Sequence, residues 1–150
     1  MKFNSLNMSE KQINTSGYED FRINPKIKLA TLWTSVMFCY IYGDYFSLYV
    51  PKKVEDFISG DTLLDSPVKL FLAAILMAIP ALMVVASVVL KPKFNRLLNM
   101  IFGIIYTLIM LLIAFTTIAP WWSFYVFFAL IESVLTSIIF WTALKWPKQV

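Results

Sequence analysis

Histidine is absent from this sequence, and cysteine occurs once, at Cys39. The first absence removes the side chain that ordinarily changes charge near neutral pH, and with it the commonest metal ligand. Ser-His-Asp and Cys-His catalysis go with it, as does haem held by histidine. A single cysteine excludes an internal disulfide, a CxxC redox pair and a cysteine zinc site, and so a quinone-coupled thiol oxidoreductase. Glycine is scarce too, at 4 residues. There is no GxGxxG, no phosphate-binding Gly-Lys-Ser/Thr loop and no Gly-x-Ser-x-Gly. Neither a metal nor a cofactor is expected.

Charge is also in short supply. Charged residues make up 15% of the chain and apolar residues 59%, against about 25% and about 45–50% in soluble domains. The length, 150 residues, is one domain's worth of chain. With that balance it reads as an integral membrane protein in contact with lipids. The net charge is +4, but Lys and Arg are spread over short connections and are not gathered on a soluble face, so no nucleic-acid partner is expected.

What the chain has instead is long apolar runs. Residues 1–26 are polar and lack the apolar stretch of a cleavable signal peptide. They read as a disordered cytoplasmic tail with an interfacial turn near residues 18–23. Four apolar segments follow, at about 27–50, 68–90, 97–119 and 121–146, with 147–150 as a short tail. About 20 helical residues cross a bilayer core, and backbone polar groups there must be bonded within the segment. The expected fold is all-α: a polytopic, four-helix transmembrane bundle. Residues 51–67 read as a loop whose Val54, Phe57 and Ile58 rest on the membrane surface. Ser66-Pro67 reads as N-cap and first-turn proline, and residues 91–96 as a short basic turn. Pro120-Trp121-Trp122 leaves almost no loop, so the last two spans form an antiparallel hairpin. Pro80, central in the second span, is expected to kink it.

The distribution of Lys and Arg orients the bundle. Lys2, Lys11, Arg22, Lys26, Lys28, Lys91, Lys93, Arg96, Lys145 and Lys148 fall on one side, and Lys52, Lys53 and Lys69 on the other. Both termini are therefore expected in the cytoplasm, with the protein multi-pass in the inner (cytoplasmic) membrane. Tyr45, Tyr49, Trp121 and Trp122 read as the outer aromatic belt and Trp146 as the inner one.

Residues 3, 4 and 7 apart share a helix face. Trp33, Met37, Tyr40, Asp44 and Ser47 form one stripe. Asn99, Gly103, Tyr106, Met110 and Thr117 form a second, and Trp121, Tyr125, Glu132, Thr136 and Ala143 a third. Helix two offers Ala73, Met77, Pro80 and Ser87, with Ala74 and Ala78 beside them. Small residues there and at Gly103 invite close helix approach. At about 1.5 Å per residue, Tyr40, Pro80, Tyr106 and Glu132 share a midplane layer, with Asp44 and Tyr125 nearer the outer leaflet.

Glu132 is the most informative residue, because an intramembrane carboxylate costs about 2.5 kcal/mol or more and no Lys or Arg lies at its depth. One reading makes it a proton- or ligand-binding group. The other makes it a protonated carboxyl bonding helix four to helix one or three through Tyr40, Tyr106 or a backbone carbonyl. Asp44 is either its entry-side partner or a wet carboxylate at the bundle mouth. Trp33, Tyr40, Tyr106, Tyr125 and Phe128 either wall a pocket for a flat apolar ligand or are simply core. Lys91, Lys93 and Arg96 either bind lipid phosphate or only set topology. Cys39 reads as inert packing.

The run Lys26-Ile27-Lys28-Leu29, Leu32-Trp33, Tyr40-Ile41-Tyr42-Gly43-Asp44, Leu48-Tyr49 resembles a family of small bacterial membrane proteins known only as a domain of unknown function. Asn95-Arg96, the stretch from Gly103 to Thr107, and Glu132 in an aromatic-rich last helix continue the resemblance over about residues 26–146. It implies four helices and gives weight to Asp44, Tyr106 and Glu132, but implies no activity. A looser similarity to DoxX-like four-helix proteins rests on no specific motif. Three readings of function follow. The first is a binding or transport protein for a proton, a cation or a small amphipathic molecule, acting as a homodimer or larger homo-oligomer. The second is a structural or accessory subunit with Glu132 as an interhelical hydrogen-bonding group. The third is a membrane enzyme on a lipid-like substrate, with Glu132 and Asp44 as acid and base.

Overall fold

Proline stands in the first turn of each long helix or at its entry. In a computed structural model of the chain, which describes residues 23–147, α1 is Pro25–Ser47, α2 Lys53–Ser59, α3 Pro67–Val89, α4 Pro92–Thr116 and α5 Ser123–Leu144. A single 3₁₀ turn, Pro120–Trp122, leads into α5. Proline suits a first turn because its missing N–H is one that has no helical partner there. Asn24 caps α1, its side chain accepting from the Lys26 amide at 3.0 Å. Ser66 caps α3 in the same way, accepting from the Lys69 amide at 3.3 Å, as its sequence predicts. The expected tail at 1–22, the turn near 18–23 up to residue 22, and Lys148 lie outside the described residues.

Four boundaries differ from expectation, one of them the end of α4, at Thr116 and not 119. α4 begins at Pro92 and not near 97, so the basic stretch is the helix's own first turns. α1 ends at Ser47 and not 50, because residues 48–50 tighten into turns bonded three residues back. The 51–67 loop contains α2, entered through left-handed Lys52 (φ 68) and closed by Gly60 (φ 79). Val54, Phe57 and Ile58 of α2 are all exposed.

Each long helix buries one narrow seam. On α1 it is Leu29, Trp33, Val36, Tyr40, Gly43 and Ser47, alternating spacings of four and three. This is the period of helices packed knobs-into-holes. On α5 the seam runs Ala129, Glu132, Ser133, Thr136, Ile139 and Ala143, and on α4 Asn95, Asn99, Gly103, Tyr106, Met110 and Ala114. α3 buries only Pro80, Met83 and Ser87. Some expected seam residues are not on it: Asp44 is exposed, its place taken by Gly43, Met77 and Trp121 are exposed, and Met37, Thr117 and Tyr125 are half-buried.

α4 and α5 pack along one another most extensively, α1 lies against both α5 and α3, and α3 touches α4 lightly. Gly103 explains the first pairing: a β-carbon there would stand 3.0 Å from the Phe140 backbone nitrogen. Ala74 and Ala78, by contrast, are exposed and bring no helix close. Thr107 and Thr136 share a 2.8 Å bond across the α4–α5 seam.

Helix direction follows from two cationic caps. Lys26 at the start of α1 donates to the Val88 carbonyl at the end of α3, at 3.0 Å. Arg96 at the start of α4 donates to the Ala143 carbonyl at 3.1 Å and the Leu144 carbonyl at 3.4 Å, at the end of α5. Cations there complement the negative end of the helix dipole. They also make α4 and α5 antiparallel and alternate the long helices up and down. Among the described residues, three stretches are long and apolar enough to cross a membrane: Pro67–Val89, Pro92–Thr116 and Pro120–Leu144. α1, equal to α3 in length at 23 residues, is not one of them. Thr31, Thr34, Ser35, Asp44 and its tyrosines lower its hydropathy.

Candidate functional site

Glu132 occupies an inward position of the α5 seam and is 4% exposed. The seam period carries it there: residues 129, 132, 136, 139 and 143 fall on one line of the helix. Its neighbour Thr136 bonds back to the Glu132 main-chain carbonyl at 2.8 Å. The carboxyl itself has no hydrogen-bond partner among the described residues. The interhelical bond expected of it in the structural reading is not formed. Bonds between helices are made instead by Thr107 with Thr136, by Trp33 with Asn99, and by Tyr106 with the Leu76 carbonyl.

Beside Glu132 lies a cavity of about 30 Å³, walled by Tyr40, Gly43 and Asp44 of α1, Tyr125 of α5, Met77 of α3 and Met110 of α4, among others. That is room for one or two waters. No Lys or Arg lines it. The Tyr40 hydroxyl is buried with no hydrogen-bond partner, and the residue is 7% exposed. A buried hydroxyl left unbonded costs about 1–3 kcal/mol, so it calls for a partner in the cavity. Asp44 is exposed and stands at the cavity's rim. Cys39, Ile113, Phe128 and Ala129 complete the wall, and Gly43 leaves 3.6 Å between a would-be β-carbon and the Tyr125 ring.

Of the six residues singled out by sequence, Glu132, Asp44, Tyr40 and Tyr125 meet at this cavity. Trp33 and Tyr106 do not line it. Their rings meet edge to face at 5.8 Å, and both polar tips are committed elsewhere. Trp33 Nε1 donates to Asn99 Oδ1 at 2.7 Å. The Tyr106 hydroxyl donates to the Leu76 carbonyl, which has no helical partner because Pro80, four residues on, lacks an N–H. Pro80 is buried and α3 continues through it.

Sequence reasoning missed a second polar cluster. Asn95, Asn99 and Ser87 are fully buried. Asn99 Nδ2 donates to Asn95 Oδ1 at 2.7 Å, and Asn95 Nδ2 donates to the Ser87 carbonyl. With Trp33 this ties α1, α3 and α4 together. The available signal was Pro92 as a first-turn residue, which places Asn95 inside the helix, four residues before Asn99. Arg96, expected to set topology or bind lipid phosphate, also caps α5.

A family of unknown function (DUF6326) matches residues 18–150. The chain belongs to that family. The resemblance carried by the first helix is thus to an uncharacterised family, as expected, and similarity to DoxX-like proteins is not shown. No curated protein and no solved structure matches the chain. Membership adds no activity, so the function has to be argued from the cavity.

Proposed function

We propose that this is a multi-pass membrane protein whose core holds an exchangeable proton or small cation at Glu132, with Asp44 on the approach. The observation that carries this reading is the cavity. A buried carboxyl with no counter-cation faces a space of about 30 Å³ beside the unpartnered Tyr40 hydroxyl. If ionised, such a carboxylate needs a cation or water; if protonated, it is a donor for a phenol oxygen. The volume favours a proton or a small ion within the cavity itself over a whole amphipathic molecule.

α1 is taken to cross as the fourth span. Its length and its seam against α3 and α5 support this. Lys26, Lys28, Lys91, Lys93, Arg96 and Lys145 cluster at one end of the bundle, and Lys52, Lys53 and Lys69 belong to the other, which supports cytoplasmic termini in an inner membrane. A homodimer is the proposed working unit, because four helices are few for a transporter and α3 leaves most of its length uncovered.

Infrared difference spectroscopy of the protein in liposomes tests the site. A protonated carboxyl band that shifts in D₂O, bleaches as pH is raised and vanishes in Glu132→Gln is the expected result. A band that neither exchanges nor titrates would leave only a static carboxyl and overturn the reading.

A further inference from the structure

Next to the acidic cavity, toward the α1 C-terminus and the α5 N-terminus, lies a second, larger space. This groove has a volume of about 380 Å³ and is walled by Phe46, Tyr49, Trp121, Phe124, Phe127 and Phe128. Its size falls in the range of about 300–1,000 Å³ that holds drug-sized ligands. The rings face one another closely: Phe46 stacks on Phe128 at 6.4 Å and meets Phe124 edge to face at 6.2 Å. Phe128 belongs to both walls, so the groove and the Glu132 cavity adjoin at this ring.

We propose that groove and cavity together form a binding site for a lipophilic organic cation, its apolar groups on the rings and its charge directed past Phe128 to Glu132 and Asp44. Two features select this occupant over a plain acyl chain. Aromatic faces attract cations, and an acyl chain carries no charge to match two carboxyl groups that lack a basic partner in the cavity. The proposal rests on the reading of Glu132 as an exchangeable site and names what exchanges with the proton.

A pH dependence follows. Glu132 is faced by Cys39, Tyr40 and Asp44 from α1 and by Tyr125 from its own helix. α3 presents Met77 and α4 presents Met110 and Ile113, none of which titrates. Proton and organic cation compete for one carboxylate, so lowering pH weakens cation binding and cation binding releases a proton, by the reciprocity of linkage.

The probe is tetraphenylphosphonium, measured by equilibrium dialysis and tryptophan fluorescence on the full chain in detergent. Saturable binding is expected, weaker by roughly tenfold or more at about pH 5.5 than at about pH 8.5. Glu132→Gln should lose both the binding and its pH dependence, while Glu132→Asp keeps part of each. Phe128→Ala should weaken binding and keep the pH dependence. Triphenylphosphine oxide, the uncharged analogue, should not compete. Absence of saturable binding by the wild type, equal binding by Glu132→Gln, or competition by the neutral analogue would overturn the proposal. The last of these would indicate a lipid-chain groove. A carboxyl band that titrates without any cation binding sinks this inference alone, whereas a band that never titrates sinks the exchangeable site as well.

Discussion

Tyr40 and Tyr106 are chemically identical and buried alike, yet their hydroxyls are in opposite situations. Tyr106 is bonded to the carbonyl that Pro80 leaves free, so Tyr106→Phe removes an interhelical bond. Stability should fall by about 0.6 and at most about 1.7 kcal/mol, measured by unfolding in mixed micelles. Tyr40 has no partner, so Tyr40→Phe should cost little or even stabilise, while altering the pH at which the Glu132 carboxyl band bleaches. Equal losses in the two variants would mean that the two hydroxyls are equivalent after all. Glu132 and Tyr40 were legible as inward residues because the seam period assigns a face. Trp33 and Tyr106 lie on the same stripes, but periodicity says nothing about where a long side chain ends along the axis, and theirs end at Asn99 and Leu76.

At the level of the helix pair, α4 and α5 depend on one missing side chain. Gly103→Ala pushes a β-carbon to within 3.0 Å of the Phe140 backbone, and overpacking of this kind costs about 1–3 kcal/mol. Gly43→Ala meets only the Tyr125 ring at 3.6 Å and should leave stability nearly unchanged. The same unfolding assay run on both variants separates the two outcomes. The buried Asn cluster makes a matching prediction for α1, α3 and α4. Asn99→Leu deprives Trp33 Nε1 and Asn95 of a partner, at about 1–3 kcal/mol, and should blue-shift Trp33 emission, read in a background in which the other four tryptophans are replaced. This cluster was hidden because the basic residues 91–96 look like a loop when hydropathy alone places the helix start. α2 was hidden because it has only seven residues: Val54, Phe57 and Ile58 carry the helical spacing, but over too short a window to tell a helix from a loop resting on the surface.

For the whole molecule, the alternation of helices follows from the two cationic caps, but which end faces the cytoplasm comes only from the count of Lys and Arg. With Cys39 replaced by Ala, a single cysteine introduced at Asp61 should react with a membrane-impermeant maleimide in intact cells. One at Lys93 should react only after the membrane is opened. The reverse pattern would invert the bundle and leave the site itself intact. Span number was readable for the three most apolar helices. α1 is less apolar because the seam and cavity wall it supplies require Trp33, Tyr40 and polar neighbours.

The proline in the middle of α3 also bears on the order of assembly. Inserted on its own, this segment would carry a naked carbonyl into hydrocarbon, where no solvent can cover it. The remedy lies on the next segment to leave the ribosome, thirty residues downstream. α3 is therefore a client of α4 during biogenesis: truncating the chain before Tyr106 should lower its membrane retention, and replacing Pro80 by Ala should restore it.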